Sequence, residues 1–104
     1  MDFHLDTSSF TAERAWGSRL IGELDGITVR LHWTDKPYKW HVNDGPEVFV
    51  VLSGTVDMHY REAGTEKVQR LTEGQIFFAN DGDAHVAHPV GEARVLVVER
   101  KDSV

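Results

Sequence analysis

Polar and apolar residues alternate along most of this chain with a period of two, which predicts strands buried on one face. In residues 27–33, ITVRLHW, the side chains of Ile27, Val29, Leu31 and Trp33 share one side and Thr28, Arg30 and His32 the other. Asp25-Gly26 just before them is a two-residue hairpin signal, with residues 19–24, RLIGEL, as the partner strand. Residues 55–62, TVDMHYRE, place Val56, Met58 and Tyr60 together and turn at Ala63-Gly64-Thr65 into residues 66–71, EKVQRL. Further strands are predicted over 75–79, over 85–88 with a stop at Pro89, and over 93–100. Residues 48–52, VFVVL, are apolar on both sides, as are 95–98, so both faces of these strands need cover.

The sum is about eight short strands at roughly 8–12-residue spacing, the cadence of an all-β sandwich or barrel. Ser53-Gly54, Glu73-Gly74 and the segment NDGDA at 80–84 read as turns, and TDKPYK at 34–39 as a loop. The single helical candidate is FTAERAW, residues 10–16, about two turns long.

Composition limits what such a barrel can do. The chain has 104 residues, which suits one compact domain spanning 1–104. Its formal charge is −6, and no cluster of Lys and Arg offsets it. Nucleic acid is therefore not an expected partner, because phosphate contacts supply most of that affinity, and an anionic membrane surface is disfavoured for the same reason. There is no cysteine, which excludes disulfides, thiolate metal sites and cysteine nucleophiles. The opening residues are acidic and lack an apolar signal core, and no run approaches the ~20 apolar residues of a membrane span, so the expected location is the cytoplasm.

Candidate chemistry gathers at the mouth of the most hydrophobic strand. His41, Asn43 and Glu47 lie at i, i+2 and i+6 in WHVNDGPEVFVVLSG, and even spacing in an extended chain points His41 and Asn43 to the same side. His85 begins another strand just past the Gly82 turn. If the sheet curls closed, that strand can lie beside the first and aim His85 at the same point.

Two motifs carry a resemblance to the cupin superfamily. The first reads G-x5-H-x-H-x3-4-E-x6-G; this chain has Asp35, His41, Asn43, Glu47 and Gly54 at those positions. The second reads G-x5-P-x-G-x2-H-x3-N; this chain has Gly74, Asn80, Gly82, His85 and Pro89. Three of five fixed positions hold in each, with no spacing error. The chain thus resembles a small, single-domain, type-2-like cupin. That resemblance implies a double-stranded β-helix, or jelly-roll, barrel with a divalent metal held by His41, Glu47 and His85, and with Asn43 in place of a third histidine.

An amide oxygen is a poorer ligand than imidazole for Zn, Ni or Cu. Two histidines and a carboxylate are nevertheless the facial triad of non-haem Fe(II) sites, so Fe, Mn, Ni and Zn all stay open. Asn43 then ligates weakly, holds a metal-bound water, or orients Glu47. The function expected is a metal-dependent dioxygenase, isomerase or lyase on a small molecule. The alternative is a non-catalytic small-ligand-binding protein with a vestigial or metal-free site.

Other residues carry weaker expectations. Tyr60 needs a partner for its hydroxyl if buried, which makes it a candidate substrate contact. His88, three residues after His85, is expected to face away from the site. His32 and His59 lie on the polar faces of their strands and are expected to be solvated, His32 entering a pocket only if the barrel register shifts. Trp40 is expected to face outward, and the two doubly apolar strands imply a homodimer.

Overall fold

A computed structural model describes residues 1–103. The described residues form seven antiparallel strands: β1 (Gly17–Leu24), β2 (Ile27–Thr34), β3 (His41–Val42), β4 (Glu47–Glu62), β5 (Thr65–Leu71), β6 (Ile76–Ala79) and β7 (Ala84–Arg100). The two long strands serve both halves of the barrel. The first half of β4 pairs with β6 and with the second half of β7, which continues to β2 and β1. The second half of β4 pairs with β5 and with the first half of β7, which also pairs with β3. This is a jelly-roll arrangement, as expected.

The count differs from the sequence reading because two expected breaks, at Ser53-Gly54 and at Pro89, lie inside strands, which merges four expected strands into two, while β3 adds one that the alternation does not predict. At Ser53-Gly54 the pairing of β4 with β7 shifts register, and Gly54 has φ +84°. A Cβ there would fall within contact distance of the Glu92 carbonyl oxygen and 3.0 Å from Ala93 Cα, so only glycine lets the two strands cross from one layer to the other. Opposite, β7 runs through Pro89 without stopping and bends at Gly91, φ +74°. Proline interrupts a ladder but not a chain that is already changing layers.

The helix expected at 10–16 does not form. A 3₁₀ turn occupies Thr7–Ser9 instead, with Asp6 accepting from the Ser8 backbone N–H, and Trp16 has φ +61°, outside any right-handed helix. Seven residues nucleate a helix poorly unless packing holds it, and here packing holds the Trp16 ring instead.

The core fills one part of the barrel with Phe49, Val51, Val56, Met58, Leu71, Ala87, Ala93, Val95 and Val97. Val56 and Met58 point inward as their alternation predicts. On β2 the alternation runs the other way from a solvated polar face: Thr28, Arg30 and His32 look into the barrel, while Leu31 and Trp33 pack beneath the opposite face. The N-terminal segment reaches that outer face, where Arg94, the register partner of Trp33, donates from Nε to the Phe10 carbonyl at 2.6 Å.

Candidate metal centre

The two polar half-sites are stitched together by their loops. The Asn43 backbone N–H donates to the Asp83 carbonyl and the Gly82 N–H to the Asn43 carbonyl, both at 2.9 Å. The Gly45 N–H donates to the Asp81 carboxylate at 2.9 Å. Next to this junction β3 pairs with β7, and His41 lies directly opposite His85. The imidazole rings stand 4.4 Å apart. Glu47, at the first position of β4, aims inward from the same end of the barrel.

One ligating atom from each of His41, Glu47 and His85 lies within 4.8 Å of the other two. His85 is 3% exposed and Glu47 7%, while His41 is half-buried. His41 Nδ1 lies 3.0 Å from the Lys39 carbonyl, which can only accept. The ring proton is therefore on Nδ1, and Nε2 keeps a lone pair, the tautomer a metal requires. His85 Nε2 is 2.8 Å from Asn43 Oδ1 and 3.2 Å from Glu47 Oε1. Glu47 Oε1 satisfies no hydrogen-bond geometry, and Asn43 Nδ2 and His85 Nδ1 are buried without partners.

Orphaned buried polar atoms around one point are costly, by about 1–3 kcal/mol each, unless something else satisfies them. Two nitrogens and a carboxylate oxygen fit a divalent ion of the Fe, Mn, Ni or Zn type in both chemistry and spacing. The residues present therefore fit the metal that the motif resemblance implies. His85 Nε2 serves either the ion or Asn43, since a nitrogen that donates its proton to Oδ1 has no lone pair to give.

A cavity of about 370 Å³ opens beside these three residues, a size suited to a small molecule. It is walled by Thr28, Arg30 and His32 from β2 and by Glu99 and Val97 from β7. His32 is thus part of the site, against the expectation that it would be solvated. Burial pushes its pKa below the usual imidazole range, only partly offset by the Trp16 carbonyl 3.4 Å from Nδ1. Glu99 is the register partner of Glu47, and its pKa is raised to about 8, first by burial and then by the hydrogen bond and charge of Glu47.

Trp16, Arg30 and Glu99 line this cavity although nothing in the sequence singled them out. The one available signal was the pairing of β2 with the doubly apolar end of β7. A polar stripe in a strand between two others has to face something enclosed. Trp16 holds a left-handed backbone conformation that costs a bulky residue about 1–3 kcal/mol. Its Nε1–H donates to the Lys36 carbonyl at 2.9 Å.

Tyr60 does not line this cavity. It borders a second one, of about 420 Å³, on the other side of His85, with its ring 5.5 Å from that of Phe77. His88 faces away from the centre as expected and stacks with His59 at 4.3 Å. His59 is partly exposed and lies 3.7 Å from Glu66. Trp40 faces outward, with the Arg61 guanidinium 4.5 Å from its ring centre.

No protein-family model matches the chain, and no curated protein is detectably similar in sequence. Solved structures do match. A cupin-2 domain containing protein from Shewanella frigidimarina is 24% identical, with 90% of this chain and 87% of that chain covered and a TM-score of 0.76. A double-stranded β-helix domain protein from Klebsiella pneumoniae is 17% identical, with 98% and 93% covered and a TM-score of 0.74. A hydroxypropylphosphonic acid epoxidase from S. wedmorenis is 18% identical, with 71% of this chain but only 43% of that chain covered and a TM-score of 0.63. The chain has the double-stranded β-helix fold of the small cupins.

Proposed function

We propose that this cupin-fold protein binds a divalent transition-metal ion through His41, Glu47 and His85, and acts with it on a small organic molecule held in the adjoining cavity. The observation that carries this reading is the convergence of three ligating atoms within 4.8 Å beside a cavity of about 370 Å³. A bound ion would supply Lewis acidity or a centre for dioxygen, which leaves dioxygenation, isomerisation and lyase chemistry open. The protein's own contributions are clearer. His41 is fixed in the ligating tautomer by Lys39, Glu47 and His85 are held out of bulk water, and Phe49 and Val97 keep the cavity floor apolar. Likeness to an epoxidase over part of its length adds support for an enzyme.

Metal analysis of the purified protein tests this, followed by melting with added Fe(II), Mn(II), Ni(II) or Zn(II). Stoichiometric metal, or a melting temperature raised by metal in the native protein but not in His41→Ala or His85→Ala, is the result expected. No binding and no shift with any of the four ions would overturn it. A second reading is a metal-free ligand-binding protein. It is favoured by the 2.8 Å approach of His85 Nε2 to Asn43 Oδ1, which can stand alone as a hydrogen bond.

The outer face of the first layer supports a homodimer. Val29, Val98, Val48 and Phe78 form one in-register row across four strands, and Leu31, Leu96, Val50 and Ile76 the next. Ile76 and Phe78 are 63% and 54% exposed. Leu31 is already buried within the chain, so the part of this face that a second copy would cover is the side bearing Ile76 and Phe78.

A further inference from the structure

We infer that the cavity takes a small, flat carboxylic acid, its charged end bound by Arg30 and its ring or conjugated body lying against Trp16 and Tyr38. This deepens the proposed function and rests on its location, but not on which metal is present.

The charged end follows from the cavity's cations. Arg30 enters from the inward face of β2, with Nη1 3.2 Å from the Ser18 hydroxyl. That hydroxyl is a neutral partner, and among the described residues no carboxylate lies within ion-pair distance of the guanidinium. The other cation, Lys101, is paired with Glu23 at 3.4 Å, so that couple contributes little net charge. A divalent ion at the three-residue centre together with Arg30 outweighs Glu47 and Glu99 even when both are counted as carboxylates. Asp102 stands exposed at the rim, where solvent and salt screen it. With the ion bound the interior therefore favours an anion, and a guanidinium without a carboxylate partner among the described residues matches a carboxylate in shape as well as sign.

The flat body follows from the aromatic rings of the lining. Trp16 and Tyr38 meet edge to face at 5.3 Å, and Tyr38 meets His41 in the same manner at 5.3 Å. Trp16 also stands edge to face with His32 at 5.9 Å. The rings make a continuous aromatic wall from Arg30's neighbour His32 to the metal ligand His41. Trp16 keeps its place despite the left-handed backbone, with Nε1 on the Lys36 carbonyl and its own carbonyl beside His32. A strained residue held on both sides at a cavity wall marks a position that the ligand uses.

The test uses Ni(II)-loaded protein and three probes of one shape: benzoate, benzamide and benzylamine, with acetate as an acid lacking a ring. Calorimetry is expected to rank benzoate about 10-fold or more above each of the others. Arg30→Gln is expected to remove that preference while benzamide binding stays unchanged, and Arg30→Lys to restore part of it. Trp16→Leu is expected to bring benzoate down toward acetate, and Trp16→Phe to retain the ranking. Benzylamine binding more tightly than benzoate, or a benzoate affinity indifferent to Arg30→Gln in a variant that melts like the native protein, would overturn the inference. Metal content is measured in every sample, and the titrations are repeated on protein stripped of metal. Absence of metal uptake defeats the metal reading by metal content and removes the ion from the charge balance, and the inference then stands or falls on whether Arg30→Gln weakens benzoate in the stripped protein.

Discussion

His85 Nε2 and Asn43 Oδ1, from residues 42 positions apart in the chain, stand 2.8 Å from each other in the buried centre. If an ion binds as proposed, the contact makes Asn43 either its neighbour or its competitor for His85. Replacing the amide by imidazole, Asn43→His, is expected to add a ligand and tighten Ni(II) or Zn(II) binding about 10–100-fold. Asn43→Ala separates the two roles. Weaker metal binding marks the amide as a partner of the ion, and tighter binding marks it as a competitor for the His85 nitrogen. Equilibrium dialysis against a chromophoric chelator reads both.

The two histidines should differ in what they do for stability. His85 is enclosed and bonded to Asn43, whereas His41 is half-buried and bonded only to a neighbouring carbonyl. In metal-stripped protein, His85→Ala is expected to cost about 1–3 kcal/mol by leaving Asn43 unsatisfied as well. His41→Ala should cost well under 1 kcal/mol, since substitutions at partly exposed positions outside a network usually do. Urea titrations at equal metal-free conditions measure the contrast, while both variants should lose metal binding alike.

Stability should fall with rising pH across a defined window. Glu99 has its pKa raised to about 8 from an ordinary 4.5. Between those values the folded state holds a proton that the unfolded chain has released, so stability declines as pH rises through the window. Below about 4.5 the contribution is complete, and above about 8 it is gone. Melting temperatures of the metal-stripped protein from pH 5 to 8.5 should show this slope, and Glu99→Gln should flatten it and melt higher than the native protein at pH 8.5.

Gly54 is where β4 changes layers. Gly54→Ala forces a side chain into a left-handed position and against the Glu92 carbonyl. The expected loss is about 2–5 kcal/mol, from backbone strain and overpacking together. Gly64→Ala serves as a control, because its φ is also positive at +78° but nothing lies within 4 Å of the added carbon. The difference between the two melting shifts isolates the close approach of the strands.

If a second copy covers the outer sheet face, Ile76→Lys with Phe78→Lys should give a monomer of about the 11.7 kDa chain mass by light scattering. Both side chains are exposed in the single chain, so secondary structure should persist. A native protein that is already monomeric at high concentration would remove the dimer reading.

Much of the fold could be read from alternation and turn residues, because each strand's pattern is local. What could not be read was where strands continue. Gly54, Pro89 and Gly91 look like ends in sequence, yet β4 and β7 pass through them, since pairing partners on both sides carry the chain across. The grouping of His41, Glu47 and His85, with Asn43 against His85, was legible because motif spacing survives in sequence. The rest of the cavity was not. His32 is expected to be solvated, and Arg30 shares its side of the strand, because alternation gives two faces but not which one is enclosed. Trp16 was hidden inside a helical pattern that tertiary packing overrode. Tyr60 shares a side of its strand with Val56 and Met58, but it borders the second cavity and not the one beside His41 and Glu47.

On β4 and β7 the inward Glu47 and Glu99 alternate with the outward Val48 and Val98, residue by residue along two directly paired strands. A one-residue slip of either strand would therefore turn its carboxylate to the outside and its valine into the centre. Such a chain could remain compact and rich in strand while having no place for an ion. If the centre binds metal as proposed, uptake would distinguish correctly assembled molecules from near-miss pairings that circular dichroism would score as folded, and would serve as a proofreading signal for refolding or mutant libraries.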